Sequence, residues 1–245
     1  MVLAFWLLVW EVATLLVGSS LILVSPRATF LRLFDLMGTG VFWHSVATTM
    51  VRIVVGFALA FAFGVLLGVL SGVWKMFRMV VLPGINVLNA VPFASFIVLA
   101  LFAMGSARIS IFVPFVMVLP IFYHNAHKGI GSACPQLLEM ATVFQVPWWK
   151  QALHIYGRAM TPFILAAAQV GIGFAWKSGI AAELIGQVGG TIGGNLHIAR
   201  IHLQTADVYA WTVAIVLLSY GMEKLLKGVV RWKSNSETSP KATMG

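Results

Sequence analysis

The chain has 245 residues, of which 60% are hydrophobic and 9% charged, against about 25% charged in a soluble globular domain. That composition excludes a water-soluble enzyme or binding module and makes a bilayer the solvent. The net charge of +9 is spread thinly between apolar runs, a pattern that suits anionic lipid headgroups better than a nucleic acid. The single cysteine, Cys134, forms no internal disulfide and has no partner at zinc-ligand spacing.

A membrane-spanning helix needs roughly 20 predominantly apolar residues. That rule predicts helices over 3–24, 50–73, 80–104, 109–126, 162–182 and 208–226. The first run has no Lys or Arg ahead of it and is long enough to span, so it reads as a membrane helix carrying Glu11 rather than as a signal peptide. Segments 25–49, 127–161 and 183–207 are too polar to cross, and 234–245 reads as a disordered cytosolic tail behind one membrane domain over 1–233.

The second helix carries Gly56, Ala60, Gly64, Gly68 and Gly72 at i, i+4 spacing, a small-residue face that lets another helix approach closely, within the bundle or in a second subunit. The third and fourth contain Pro83, Pro92, Pro114 and Pro120, with Asn86 and Asn89 ahead of Pro92. Each internal proline frees a carbonyl that needs a partner in protein or in a wet cavity. Broken helices with amides nearby suit a translocation path, and kinks that merely help packing fit equally well.

Between the fourth and fifth helices, the stretch Glu139 to Ile155 reads as two short amphipathic helices joined near Gln145 to Pro147, with Pro147 suited to the first turn of the second. Trp148, Trp149, Leu153 and Ile155 are apolar groups in a polar connection, as expected of a surface that meets a partner or lies on the membrane interface. In the fifth helix Lys177 stands between Trp176 and Ser178. A charge at membrane depth is a functional candidate; Lys177 could attract an anionic cargo, pair with Glu11 or Glu183, or snorkel outward. Gly171 to Ser178 approaches a phosphate-binding loop but has Trp176 where a glycine is required, and it lies in a predicted membrane helix. His44, His197 and His202 converge on no carboxylate cluster, so no metal site is expected.

Alternate connections differ in charge. Lys75, Arg78, Lys128, Lys150, Arg158, Lys224, Lys227, Arg231, Lys233 and Lys241 fall in one set, and Arg27, Arg32, Arg108 and Arg200 in the other. That asymmetry places both termini, and the 127–161 segment, in the cytosol.

The segment around Glu139 resembles the EAA loop of binding-protein-dependent ABC importer permeases, in which Glu-Ala-Ala is followed four residues later by Gly. Glu139 and Ala141 match; Met140 replaces the first Ala and Gln145 the Gly. Pro162 falls where the family has the second of two prolines, and Gly157-Arg158 stands in place of Leu-Pro. Phe42-Trp43-His44, Asn89-Ala90-Val91-Pro92-Phe93-Ala94, Ala182-Glu183 and Gly189-Gly190-Thr191-Ile192-Gly193 are similar to the nitrate, sulfonate and taurine type.

The resemblance implies an all-α fold of six transmembrane helices, the type I importer permease fold with a coupling loop over about 135–158, in a bacterial-type inner membrane. It implies a homodimer, cytosolic ATPase subunits on the coupling loops through Glu139, Ala141, Gln145, Trp148 and Trp149, and an extracytoplasmic substrate-binding protein. No cofactor is expected on this chain; ATP and Mg belong to the ATPase. Lys177, Trp176, Ser178, Asn86, Asn89 and Glu11 are the candidates for the path of a small solute, either an anion of the nitrate, sulfonate or taurine kind or a thiamine-precursor-like heterocycle. A stand-alone secondary transporter or channel is the other reading, and it would need intramembrane carboxylates, of which Glu11 is the clear one in a helix core.

Overall fold

Apolar runs that must satisfy every backbone N–H and C=O internally fold as helices. The computed structural model describes the backbone of residues 2–19 and 21–238, and their side chains except those of residues 3 and 229–238. Helix follows helix, with no strand among the described residues: α1 (Val2–Val17), α2 (Pro26–Met37), α3 (Gly40–Val73), α4 (Lys75–Ala90), α5 (Phe93–Met104), α6 (Ser106–Gly131), α7 (Pro135–Val143), α8 (Trp148–Gln151), a π turn (Ala152–Tyr156), α9 (Gly157–Ile185), α10 (Ile192–Ile201) and α11 (Thr205–Thr238).

Among the described residues, four stretches are long and apolar enough to cross a membrane: Gly40–Val73, Ser106–Gly131, Trp148–Ile185 and Thr205–Gly228. The expected straight helix over 80–104 is instead α4 and α5, bent by 109° and together apolar enough to count as a fifth. Pro92 explains the break: it offers no N–H and pushes the preceding residue out of the helical region, and Val91 is extended at φ −70°, ψ 128°. The expected first span, 3–24, ends early because Gly18 turns left-handed at φ +64°. The 16 residues of α1 rise about 24 Å, short of the roughly 30 Å hydrocarbon core. The polar segment 25–49 is helical for most of its length, as α2 and the start of α3. The end expected to be a tail, 234–245, carries α11 as far as Thr238, and 239–245 lie outside the described residues.

By packing, the chain divides into two units. Unit 1 comprises 1–54, 93–113 and 177–219, and unit 2 comprises 55–92, 114–176 and 220–245. Within unit 1, Phe42 stacks on Trp211 at 5.2 Å, Trp10 Nε1 donates to Val24 O at 3.0 Å, and Arg32 on α2 makes a two-pronged ion pair with Asp207 on α11, its Nη2 3.1 Å from Oδ2. That hydrogen-bonded carboxylate raises the Arg32 guanidinium above its ordinary value. Within unit 2 the small face of α3 meets α6. A Cβ on Gly64 would lie 2.7 Å from Phe122 Cβ, and one on Gly68 would lie 2.6 Å from Tyr123 O. The stripe therefore serves helix packing inside this chain.

Candidate functional site

The segment between α6 and α9 is built by helix-end chemistry. α7 opens on Pro135, where a missing N–H costs nothing. It closes in a Schellman arrangement: Val146 N–H donates to Ala141 O at 2.8 Å and Gln145 N–H to Thr142 O at 3.1 Å. Gln145 sits at φ +50°, so it adopts the left-handed turn that the family's glycine takes freely. A side chain there costs about 1–2 kcal/mol, which the paired carbonyls offset. Gln151 Nε2 donates back to Val146 O at 2.7 Å, tying α8 to the turn. Pro147 stands one residue before the position expected for it, as the N-cap of α8, where its carbonyl accepts from Lys150 N–H at 2.9 Å.

The second short helix is not a separate element. α8 runs through the π turn into α9 without a loop, giving one 38-residue helix from Trp148 to Ile185; single π turns of this kind occur often at functional positions. Between α7 and this helix lies a groove of about 480 Å³, lined by Met140, Phe144, Val146, Lys150, Ile155 and Arg158. Ala141 forms part of its wall and is 3% exposed, whereas Trp148 is 79% exposed and Phe144 72%. Trp149 is exposed with the Lys150 ammonium 5.3 Å from its ring, and Glu139 and Gln145 are exposed. Of the five residues expected to couple, four thus present themselves outward and Ala141 supports the surface from below. A stiff apolar patch continuous with a membrane span can transmit a push on the patch to the span.

The path candidates do not converge on one another. Trp176 and Ser178 are buried while Lys177 between them is exposed, so the charge leaves the packed side of α9. The ion pairs among the described residues are Arg32–Asp207 and Lys227–Glu223. Lys177 therefore pairs with neither Glu11, which is exposed on α1, nor Glu183. Asn86 and Asn89 are exposed on α4 just ahead of the break, and Asn89 Nδ2 lies 3.4 Å from His124 Nε2. Gly171 to Ser178 is helical throughout, a conformation that cradles no phosphate.

Glu183 has other partners. It is 0% exposed, its Oε2 accepts from Thr49 Oγ1 at 2.8 Å and from Gly193 N–H at 3.2 Å, and Thr49 Oγ1 accepts in turn from Ile192 N–H at 3.0 Å. Asn195 Nδ2 donates to Ser45 Oγ at 2.7 Å alongside. The start of α3, the end of α9 and the first turn of α10 thus meet on one carboxylate. The sequence reading missed Ser45, Thr49 and Asn195. A usable signal was present: Ser45 and Thr49 are four apart, hence on one helix face, and a carboxylate in an apolar run demands a partner.

Bilayer-length helices, one of them broken at a proline, with an exposed apolar helix pair joining two of them, define a polytopic membrane protein with an exposed apolar surface at one connection. The sequence pattern of the binding-protein-dependent transport system inner membrane component matches residues 60–230, and the chain belongs to that family, the ABC importer permeases. It is 25% identical over 236 residues to a Bacillus subtilis protein assigned as aliphatic sulfonates transport permease protein SsuC, covering 94% of this chain and 85% of that one. It is 22% identical over 240 residues to the bicarbonate transport system permease protein CmpB of Synechococcus elongatus, covering 93% and 85%. It is 25% identical over 228 residues to the taurine transport system permease protein TauC of Escherichia coli, covering 91% and 82%. The chain is accordingly a multi-pass transport component of the inner membrane.

Proposed function

We propose that this permease forms half of the path for a small anion and couples to a cytosolic ATPase through α7 and α8, with no covalent chemistry of its own. The observation that carries the reading is the exposed apolar groove between α7 and the Trp148–Ile185 helix, a surface continuous with a span. ATP and Mg reside on the partner, a binding protein delivers cargo from the opposite face, and a second copy of the chain completes the path. Relatives named for sulfonates, bicarbonate and taurine support an anion, as does Lys177, an exposed cation on the Trp148–Ile185 span.

Co-expression with the candidate ATPase tests this. Glu139→Lys is expected to abolish co-purification and ATP turnover while leaving the permease monodisperse; an ATPase that never binds the wild type would reject the coupling reading and favour a stand-alone transporter. The orientation has its own test, because Cys134 is the single cysteine and is exposed. An impermeant maleimide is expected to label it in inverted vesicles and not in right-side-out ones, and the reverse pattern would put this loop and both termini outside.

A further inference from the structure

The Glu183 node is built unlike an anchor. A carboxylate offers about four acceptor positions, and buried polar groups that serve only to fix a fold are normally saturated. Glu183 accepts on Oε2 from Thr49 and Gly193, with the Thr191 hydroxyl close to the same carboxyl, while Oε1 is buried with no hydrogen-bond partner. Leaving a buried acceptor unmade costs free energy, so the described arrangement is held at a cost that a second arrangement could relieve.

The segment it holds is a self-contained turn. Gly186 N–H and Val188 N–H close the end of α9 on Ala182 O and Glu183 O. Thr191 Oγ1 donates to Val188 O at 2.7 Å and accepts from Gly194 N–H at 3.1 Å. Gln187 and Gly190 carry φ of +53° and +68°, so the turn is shaped by its own backbone. Among the described residues, its polar ties to α3 include Thr49 to Glu183, Ile192 N–H to Thr49 and Asn195 to Ser45.

We propose that Glu183 and Thr49 form a releasable latch that holds the α9–α10 turn against α3, and that Glu183 is a positioning residue for transport whose bonds part when the path changes its access. The transport role rests on the permease reading; the latch itself does not.

The test reads opening directly. In a Cys134→Ser background, Val188→Cys places a thiol at a position 4% exposed within the turn, and Ala214→Cys places one at a position 3% exposed on α11. The full chain in membranes is reacted with a permeant maleimide. Thr49→Val and Glu183→Met, each of which removes a partner of the bond, are expected to raise the Val188→Cys rate about tenfold, the loss of a buried hydrogen bond, while Ala214→Cys stays slow and Thr49→Ser, which keeps the hydroxyl, restores the parent rate. Unchanged labelling in both variants would overturn the latch. A parallel rise at Ala214→Cys, or failure of Thr49→Ser to restore, would reduce the node to general stabilisation and overturn it too. Should Thr49→Val not assemble, Glu183→Met, which removes the acceptor at similar side-chain length, alone decides. With a partner ATPase bound, ATP is expected to raise the parent Val188→Cys rate; if it does not while the variants still differ, the latch stands and its transport role falls.

Discussion

The two units of this chain are held together by different means. Among the described residues, the buried Thr29, Ser45, Thr49, Ser110, Ser178, Glu183 and Thr191 lie in unit 1, whereas unit 2 buries Ser71, the Tyr123 hydroxyl and His127 Nδ1. Unit 2 instead packs small residues of α3 and α9 against bulky ones of α6: Gly64 and Gly68 against Phe122, Tyr123 and Ala126, and Gly171 against Val118. Hydrogen bonds are directional and discrete, so they fix one arrangement until they break. Close van der Waals packing tolerates small sliding between helices, the kind of motion a lever needs. The difference teaches that unit 2, which carries the apolar groove, is held by contacts that permit sliding, and unit 1, which carries Glu183, by bonds that hold one arrangement until they break.

The largest expected effect comes from spoiling the packing of unit 2. Gly68→Leu would drive a side chain into Tyr123 O and Ala126 Cβ, both within 2.7 Å of an added Cβ, and is expected to cost about 3 kcal/mol or prevent folding. Gly84→Ala, with nothing within 4 Å of the added carbon, is the control and is expected to be neutral or slightly stabilising. Thermal unfolding of the purified chain checks both, and equal behaviour of the two would mean that close packing at Gly68 is not what holds unit 2.

In unit 1 the comparable change is Ser45→Ala. It takes the acceptor from Asn195 Nδ2 at a site 0% exposed and is expected to cost about 1–3 kcal/mol, with recovery in the double variant Ser45→Ala, Asn195→Leu. A smaller loss belongs to Asp207→Asn, since the Arg32 side chain is 43% exposed and solvent screens the pair. About 0.5–1 kcal/mol is expected, and because salt screens exposed charges the gap between variant and wild type should narrow from low to high salt. A gap insensitive to salt would mean that α2 and α11 are joined by something other than this pair.

The sequence reading succeeds where the signal is local. Long apolar runs become α3, α6, α9 and α11, and Glu139 to Ile155 becomes a helix, a turn and a second helical stretch. It errs where a long-range partner reverses a local signal. Ser45, Thr48 and Thr49 make the segment before residue 50 look like a loop, yet the hydroxyls of Ser45 and Thr49 are taken up by Asn195 and Glu183, 150 and 134 residues away, so helix costs them nothing. Pro92 is visible in the sequence, but the apolar run continues across it, and hydropathy alone does not register a bend.

Gln145 is a third kind of case, in which the residue type argues against a conformation that the chain adopts. The same choice recurs: Gln187 and Leu203 also sit left-handed, at φ +53° and +54°, each ending a helix with a six-to-one bond, Val188 to Glu183 and Gln204 to Ala199. In all three the paired carbonyls, rather than a glycine, set the turn, and after α7 Pro147 follows two residues later as the N-cap of α8. Gln145→Gly should therefore change little: relief of the left-handed strain, about 1 kcal/mol, is partly cancelled by the greater freedom glycine gives the unfolded chain. A net gain of about 0.5 kcal/mol is expected in thermal unfolding, with ATPase co-purification unchanged, whereas Gln145→Val should lose both stability and binding. If Gln145→Gly instead abolished ATPase binding at unchanged stability, the Gln145 side chain itself would belong to the contact, and the groove would be recognised by a polar group as well as by its apolar wall.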